Sequence, residues 1–273
     1  MHAGLSTFLQ RLEEAEAGPG DAATCFVFDL AASPDLVGVL RAVSSGLPYQ
    51  ALPLLAGTSH MDRALEGPLW CQVQPHSGQS RLALYRAVQD ASGLIIETAD
   101  PRAAQLHARD LIYQHDGAGL WFSKYYNPRE WGALALTANP GLFGPWRTVY
   151  SPAPKHIGNP RGPWLRWEAP AQGDPLTQPY RRAISTYPTY RTVRWLYWLD
   201  THFTEFGEPT PAQLPALITN LEFLVSHDID EGRWLLRLAR LCRGAPLSER
   251  ADVLAIFGKF DVPFNHFMRL LTL

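Results

Sequence analysis

Ten of the chain's 23 prolines lie between residues 139 and 188, and this density limits what the middle of the chain can form. Proline supplies no backbone N–H and fixes its own φ, so it interrupts helices and is excluded from central strands. We therefore predict an irregular connector here, with edge strands as its regular structure. The sequence patterns before and after this segment differ.

Before the connector, buried-strand runs alternate with amphipathic helical runs. The helical runs begin at capping residues such as Ser33 and Asp100, and an amphipathic helix carrying Leu5, Phe8 and Leu12 precedes them. This alternation predicts an α/β lobe over residues 1–175, in which helices flank a mixed sheet. The predicted strands are CFVFDLA (25–31), PLWCQVQ (68–74), GLIIETA (93–99) and GLWFSKYY (119–126), followed by TVY and WLRWE.

Beyond the connector, apolar residues recur at helical spacing, which predicts an all-α lobe over residues 176–273. Thr210-Pro211-Ala212-Gln213 has the form of a capping box, in which the Gln side chain reaches back to the Thr backbone. The helix that follows would bury Leu214, Leu217, Ile218, Leu221, Leu224 and Val225.

Composition and charge exclude several function classes. A formal charge of −2 gives no overall field that would attract nucleic acid or an anionic membrane, so we expect neither as a partner. No stretch approaches the roughly 18 apolar residues of a membrane helix, and the N-terminus lacks the basic start of a secretory signal. Three widely spaced cysteines, Cys25, Cys71 and Cys242, predict buried thiols in a reducing compartment and hence a cytoplasmic protein.

A search for catalytic spacings finds no phosphate loop, dinucleotide fingerprint, nucleophile elbow, zinc helix or paired Cys-x-x-Cys. We therefore expect no cofactor and no catalytic residue. One alternative is a metal-dependent hydrolase that uses His202 together with the dipeptide His227-Asp228. The competing interpretation is that this dipeptide, like His115-Asp116, closes a helix, where an imidazolium complements the helix dipole.

Residues 121–134, WFSKYYNPREWGAL, gather aromatic residues around the step Asn127-Pro128-Arg129-Glu130. Asn127 suits an N-cap because the proline after it disfavours helical φ and ψ, and Glu130 at the third helical position can complete a capping box. Arg129 would pair with a carboxylate such as Glu66 or Glu97, or would face a partner. The aromatics predicted to pack this corner are Trp121, Phe122, Tyr125, Tyr126 and Trp131.

The corner belongs to an ordered set of segments that spans roughly residues 25 to 170. The set comprises YQALPLLAGTS (49–59), EGPLWCQV (66–73), HARDLI (107–112), FSKYYNPR (122–129) and LFGPWRTVY (142–150). In kind and order it resembles the adaptor-chaperone family encoded beside VgrG spike genes in bacterial type VI secretion clusters. Asn127 stands where that family often has Asp, and Lys124 where Arg is common; both replacements keep the role of the residue.

The resemblance implies a non-enzymatic protein whose partners are a toxic effector and the VgrG spike, onto which it would load the effector. Besides the hydrolase, the alternative is an immunity protein that neutralises a cognate toxin. The motif residues are implied to be fold determinants without a catalytic role. They are Tyr126, Asn127, Pro128, Arg129, Gly144 and Pro145.

The segment 187–206 predicts a helix with one broad apolar side. Winding it at about 100° per residue gathers Arg191, Arg194 and His202 on the other side, with Trp198 among them. A tryptophan ringed by arginines is typical of an interaction hot spot. The alternative is that Trp198 packs against the first lobe or the proline-rich connector, since large aromatics are usually at least partly buried.

A second basic face follows, because arginines recur at near-helical spacing after Asp230. They are Arg233, Arg237, Arg240 and Arg243. Such a face is ordinarily solvated, and the alternative is that it meets an acidic protein partner. The predicted partner-binding residues are therefore Arg191, Arg194, Trp198, His202, Arg233, Arg237 and Arg240.

Overall fold

The computed structural model of the protein describes residues 2–44, 46, 48–116, 119–139, 141–158, 160–170, 176 and 178–273. Within these ranges the strands are β1 (Cys25–Asp29), β2 (Gln50–Pro53), β3 (Pro68–Gln72), β4 (Leu94–Thr98), β5 (Tyr113–His115), β6 (Leu120–Phe122), β7 (Trp146–Pro152), β8 (Trp164–Glu168) and β9 (Tyr180–Arg181). The helices are α1 (Leu5–Glu13), α2 (Leu36–Ala42), α3 (Gly78–Gln89), α4 (Pro101–Asp110), α5 (Pro128–Leu136), α6 (Thr186–Thr201), α7 (Leu214–Val225), α8 (Gly232–Arg237), α9 (Ala239–Cys242), α10 (Ala251–Phe257) and α11 (Pro263–Leu270).

The main sheet has the order β2-β3-β1-β4-β7-β8, and each neighbouring pair in it is antiparallel. The strands β3 and β4 run in the same direction and are joined through α3, but β1 lies between them. This inserted strand explains why alternating strands and helices do not give a parallel sheet here. Parallel pairing occurs between β5 and β9, in a small second sheet of order β6-β5-β9.

The two faces of the main sheet are covered by different helices. Successive side chains of a strand point to opposite faces. Phe26 and Phe28 of β1 therefore share a core with Leu36 and Leu40 of α2, whereas Val27 belongs to the core on the other face. That second core also contains residues of α1, α4 and α5. The sheet is thus buried on both sides, which accounts for its nearly uninterrupted apolar strand sequences.

The C-terminal part, α6 to α11, is helical, so the predicted order of an α/β lobe followed by a helical lobe is confirmed. One apolar core continues from the sheet into these helices. Tyr197 of α6 donates a 2.6 Å hydrogen bond to the Pro152 carbonyl oxygen of β7. The Asp200 carboxylate accepts hydrogen bonds from the backbone N–H groups of residues 155–157. The predicted boundary after residue 175 falls at residues outside the described ranges.

Several predicted helix ends shift. Ser33 does not cap α2, which begins after Asp35; its hydroxyl donates instead to the carboxylate of Asp90. Gln213 does accept a 2.8 Å hydrogen bond from the Thr210 backbone N–H, as a capping box requires, but α7 begins only at Leu214. The long helix predicted to residue 206 ends at residue 201. Asp100 caps α4 as predicted.

The proline-rich segment contains more sheet than its composition predicts. The strand β8 is an edge strand, as expected, but β7 is an interior strand that pairs on both sides. It tolerates Pro152 because this residue is the last of the strand, where the missing N–H interrupts no further pairing. Residues 171–175 and 177, which also belong to the predicted connector, lie outside the described ranges.

The three cysteines are buried and free, as predicted. Burial raises the pKa of the Cys71 and Cys242 thiols to about 12, so both stay protonated at neutral pH.

Among the described residues, we find no helix with the length and apolarity needed to cross a membrane.

Candidate interaction surface

The corner at the start of α5 forms as the sequence predicts. Asn127 adopts extended φ and ψ angles (−83°, 128°), and its side-chain oxygen accepts a 3.0 Å hydrogen bond from the Arg129 backbone N–H. Pro128 occupies the first helical position, where a missing N–H costs no hydrogen bond. The predicted N-cap is confirmed.

Asn127→Ala removes this cap, and we expect it to lower the free energy of unfolding by about 1 kcal/mol. Urea denaturation followed by circular dichroism measures the change. Asn127→Asp is the matched control because aspartate caps equally well, and it should stay within a few tenths of a kcal/mol of the wild type. Equal destabilisation by both substitutions would show that the hydrogen bond to Arg129 contributes nothing.

Glu130 does not complete a capping box, contrary to the sequence prediction. The Asn127 N–H already donates to the Lys124 carbonyl oxygen at 2.7 Å, so it needs no side-chain acceptor. The Glu130 carboxylate instead accepts hydrogen bonds from the Ser123 hydroxyl (2.9 Å) and the Lys124 N–H (3.2 Å), and it forms an ion pair with Arg182. This network ties the end of the small sheet to α5.

Most of the aromatics pack the corner as predicted. Tyr125, Tyr126 and Trp131 are buried, and the Tyr125 hydroxyl donates to the Ala108 carbonyl oxygen at 2.6 Å. Burial raises the pKa of the Tyr126 hydroxyl well above its ordinary value. Trp121 is the exception, because it is 53% exposed. It lies on the edge strand β6, on the face opposite to its neighbour Phe122.

Gly144 and Pro145 hold the turn that leads into β7. Gly144 has a φ of +48°, and a Cβ atom there would lie 2.5 Å from Cε1 of the His107 ring. Only glycine fits this position, both for its backbone conformation and for its close approach to the ring. The Pro145 carbonyl oxygen accepts a 3.0 Å hydrogen bond from the Thr98 hydroxyl. Both residues therefore have structural roles.

Arg129 does not make either predicted ion pair. Glu97 pairs instead with Arg147, at 3.5 Å, because both lie on neighbouring strands of the main sheet. Among the described residues, no carboxylate lies within ion-pair distance of the Arg129 guanidinium, and no cationic side chain lies within that distance of Glu66. Burial raises the pKa of the Tyr190 hydroxyl, and the charges of Arg194 and Arg129 offset part of this rise.

The predicted hot spot on α6 is only partly exposed. Trp198 is half-buried and packs edge-on against Trp195 (5.5 Å between ring centroids) and Phe206 (5.3 Å). Its ring also lies 4.9 Å from that of His202. Trp198 and His202 are thus brought together, but within an aromatic cluster that holds the end of α6.

The two arginines of α6 do not surround Trp198. The Arg194 guanidinium lies 5.5 Å from the ring centroid of Trp195. Arg191 forms a 3.1 Å ion pair with Glu222 of α7. Both side chains are exposed; Arg191 links α6 to α7, whereas Arg194 contacts a ring of its own helix.

The second basic face is divided by the fold. Arg233 and Arg237 lie on α8, whereas Arg240 lies on α9 after a break at Leu238. Arg233 pairs with Glu231 at 2.5 Å, so its charge is already matched. Arg243 points away, since its guanidinium packs against Gly207. Arg237 and Arg240 alone of the predicted set line one groove.

This groove, which we call the arginine groove, has a volume of about 230 Å³ and lies between α8–α9 and α11. Two residues of α8 contact Phe267 of α11. The Arg237 guanidinium lies 5.3 Å from the centre of the Phe267 ring, and the Trp234 ring stacks on the same ring with 5.0 Å between centroids. Leucines form the floor of the groove, namely Leu238, Leu241, Leu270 and Leu271. Arginines form its rim, namely Arg237, Arg240 and Arg250.

An exposed apolar strip continues from this groove, and sequence analysis missed it. Phe264 (52% exposed) and Met268 (44% exposed) lie on α11, and Phe260 and Val262 just before it are also exposed. The spacing of Phe264 and Met268 was visible in the sequence, but apolar residues at i and i+4 ordinarily predict a buried helix face. Only the packing of α11 shows which of its faces is covered.

Comparison of the chain with protein-family models, with curated proteins and with solved structures finds no match. What the protein does must therefore be inferred from its own residues.

The residues of the alternative hydrolase site do not form a metal centre. Within the described part of the chain, no three His, Cys, Asp or Glu side chains come together as a metal ion would require. His227 donates from Nδ1 to the Phe223 carbonyl oxygen at 2.8 Å and packs 4.2 Å from the Phe257 ring. Asp228 has a φ of +62° and follows the end of α7. The helix-closing interpretation accounts for this dipeptide, but it is wrong for His115-Asp116, because His115 lies in the strand β5.

Proposed function

We propose that the protein is a cytoplasmic adaptor chaperone of a bacterial type VI secretion system, which binds a toxic effector and loads it onto the VgrG spike. The activity is protein–protein binding without chemical turnover. Binding is reversible, because the effector must be passed on, and it acts by mass action on the unloaded effector.

The observation that supports this proposal is the apolar strip of α11 beside the arginine groove. Large apolar side chains that are exposed next to one another commonly mark a site of protein interaction. At the corner of Asn127, by contrast, Tyr125, Tyr126 and Trp131 are buried. Phe260, Phe264 and Met268 are exposed within one short segment, so they offer a partner an apolar contact area that the buried residues of the corner do not.

The motif residues support the proposal in a different way. Asn127, Pro128 and Gly144 have roles in capping, helix initiation and close packing, and these roles account for each residue without a reaction. The corner therefore acts as a scaffold, and the helical lobe carries the surface. A second surface is available at the half-exposed Trp198 with His202, which an adaptor that contacts both effector and spike can use.

Deletion of the gene from its own bacterium tests the proposal. We expect secretion of the effector encoded beside it to fall to background, while secretion of the tube and spike proteins continues. Complementation with the wild-type gene is the control. In purified form, the protein, this effector and VgrG should elute together from a sizing column. Unchanged effector secretion, together with no complex, would refute the adaptor role; protection of cells that lack the secretion system would favour an immunity protein.

A further inference from the structure

The arginine groove and the apolar strip of α11 form one continuous surface. Phe264, Met268 and Leu271 are spaced i, i+4 and i+7, so they lie along one side of α11 and its end. Leu271 also lines the groove, which places the groove at the end of the strip. At a helical rise of about 1.5 Å per residue, the strip is about 10 Å long, or two turns of a facing helix.

The charged side chains that line the arginine groove have one sign. They include arginines and no aspartate or glutamate. Within the described part of the chain, neither Arg237 nor Arg240 lies within ion-pair distance of a carboxylate, whereas Arg233 pairs with Glu231 and Arg250 with Asp252. Two exposed guanidinium groups thus lie above an apolar floor without a partner of opposite charge.

Exposed apolar side chains beside unpaired arginines form a surface that is complementary to an amphipathic segment with acidic flanks. A helix docks in a groove through apolar residues at i, i+3, i+4 and i+7, and carboxylates on its flanks can form forked hydrogen bonds with guanidinium groups. An anionic membrane surface is less well matched, because carboxylates also face this region. Asp261 lies beside the strip, where it pairs with Arg269 at 2.7 Å, and Asp252 lies beside the groove.

We propose that the arginine groove and the strip of α11 bind an amphipathic helical segment of a partner protein, with acidic residues on both sides of its apolar stripe. This inference rests on the proposed adaptor function and names the chemistry of one partner segment. Phe264, Met268 and Leu271 provide the apolar contact area. Arg237 and Arg240 orient the bound segment and select for its acidic flanks.

Fluorescence anisotropy with the full-length protein and a labelled peptide tests the proposal. The probe is an amphipathic peptide about four turns long, with leucines at i, i+3, i+4 and i+7 and glutamates on both flanks. Its twin carries glutamine in place of every glutamate. We expect the acidic peptide to bind at least about tenfold more tightly than its twin at low salt, and the difference to shrink as salt is added.

Charge reversal locates the site. Arg237→Glu with Arg240→Glu should weaken binding of the acidic peptide by about tenfold or more. The matched control reverses two exposed arginines far from the groove, Arg41→Glu on α2 with Arg102→Glu on α4, and should keep the wild-type affinity. Arg240→Glu alone serves if the loss of Arg237 from the Phe267 ring disturbs folding, and thermal melting checks each variant.

Equal binding of the two peptides, or equal effects of the groove and control variants, would overturn the inference. So would a preference for phosphatidylglycerol vesicles over neutral vesicles, if the groove variant abolishes that preference. A dimer that the groove variant separates would also overturn it. The last two would assign the surface to a membrane or to a second copy of the chain. Failure here is distinguishable from failure of the adaptor role. A groove variant that still assembles with effector and VgrG contradicts the groove alone, whereas a wild type that forms no such complex contradicts the adaptor role.

Discussion

Arg182→Ala is expected to lower the free energy of unfolding by about 3–5 kcal/mol, the loss typical of breaking a buried ion pair by removing one partner. The Arg182 and Glu130 side chains are only 14% and 12% exposed. The Arg182 guanidinium also donates to Gln114 at 2.6 Å and to Ser123 at 2.9 Å. Its removal leaves the Glu130 carboxylate buried without a countercharge, and it frees two further buried polar groups.

Arg181→Ala is the matched control, because Arg181 is the preceding residue and its side chain is exposed. It should change stability by less than about 0.5 kcal/mol. The double variant Arg182→Met with Glu130→Gln removes both charges and should recover much of the loss. Chemical denaturation of the wild type, the double variant and the single variants Arg182→Met and Glu130→Gln gives the coupling energy of the pair. If Arg182→Ala matched Arg181→Ala, the ion pair would not stabilise the corner.

The stability of the protein is expected to fall between pH 6.5 and pH 4 because of His107. This side chain is fully buried, its Nε2 donates to the Leu142 carbonyl oxygen at 3.0 Å, and its Nδ1 has no partner. Burial lowers its pKa from 6.5 to about 4. Below pH 6.5, His107 therefore binds a proton in the unfolded chain but stays neutral in the folded protein. The full difference between the two pKa values corresponds to about 3 kcal/mol of the free energy of unfolding. This contribution is present above pH 6.5 and is lost as the pH falls towards 4.

His107→Gln should flatten this dependence, since glutamine can still donate to Leu142 but does not titrate. The measurement is the free energy of unfolding at several pH values between 4 and 7.5. Asp29 and Asp110, whose pKa values burial raises, contribute in the opposite direction, but they are present in both proteins and cancel in the comparison. Leu224→Ala, a change to a buried residue of α7, is the control for destabilisation and should keep the wild-type slope. A slope unchanged in His107→Gln would contradict the assignment.

Features that depend on neighbouring residues could be predicted from the sequence. Asn127 before Pro128 fixes an N-cap through the backbone preferences of those two residues alone. The central strand at Cys25 and the apolar spacing of α7 are equally local, and the structure confirms both. The helical character of the C-terminal part follows from such spacing repeated over many turns.

Features that depend on distant residues could not be predicted in this way. Arg182 reaches Glu130 across 52 positions of sequence, and no local pattern indicates that these two residues pair at the corner or that Arg129 pairs with neither Glu66 nor Glu97. The exposure of Trp121 depends on β6 being an edge strand, which only the assembled sheet decides. The arginine groove joins α8–α9 to α11, so its unpaired charges become apparent only when these helices are packed together.

The apolar core that runs from the sheet into the helical part has a practical consequence for dissecting the protein. Tyr197 hydrogen-bonds to Pro152, and Phe8 of the first helix packs 6.1 Å from the Tyr197 ring. Gly132 allows α5 to approach both Phe8 and Val193 closely. Fragments made by dividing the chain in its middle would each expose apolar residues that are buried in the intact protein. Non-specific binding through these residues would be mistaken for recognition of a partner. Point changes on the outside of the intact chain are therefore the sound way to separate what each half binds.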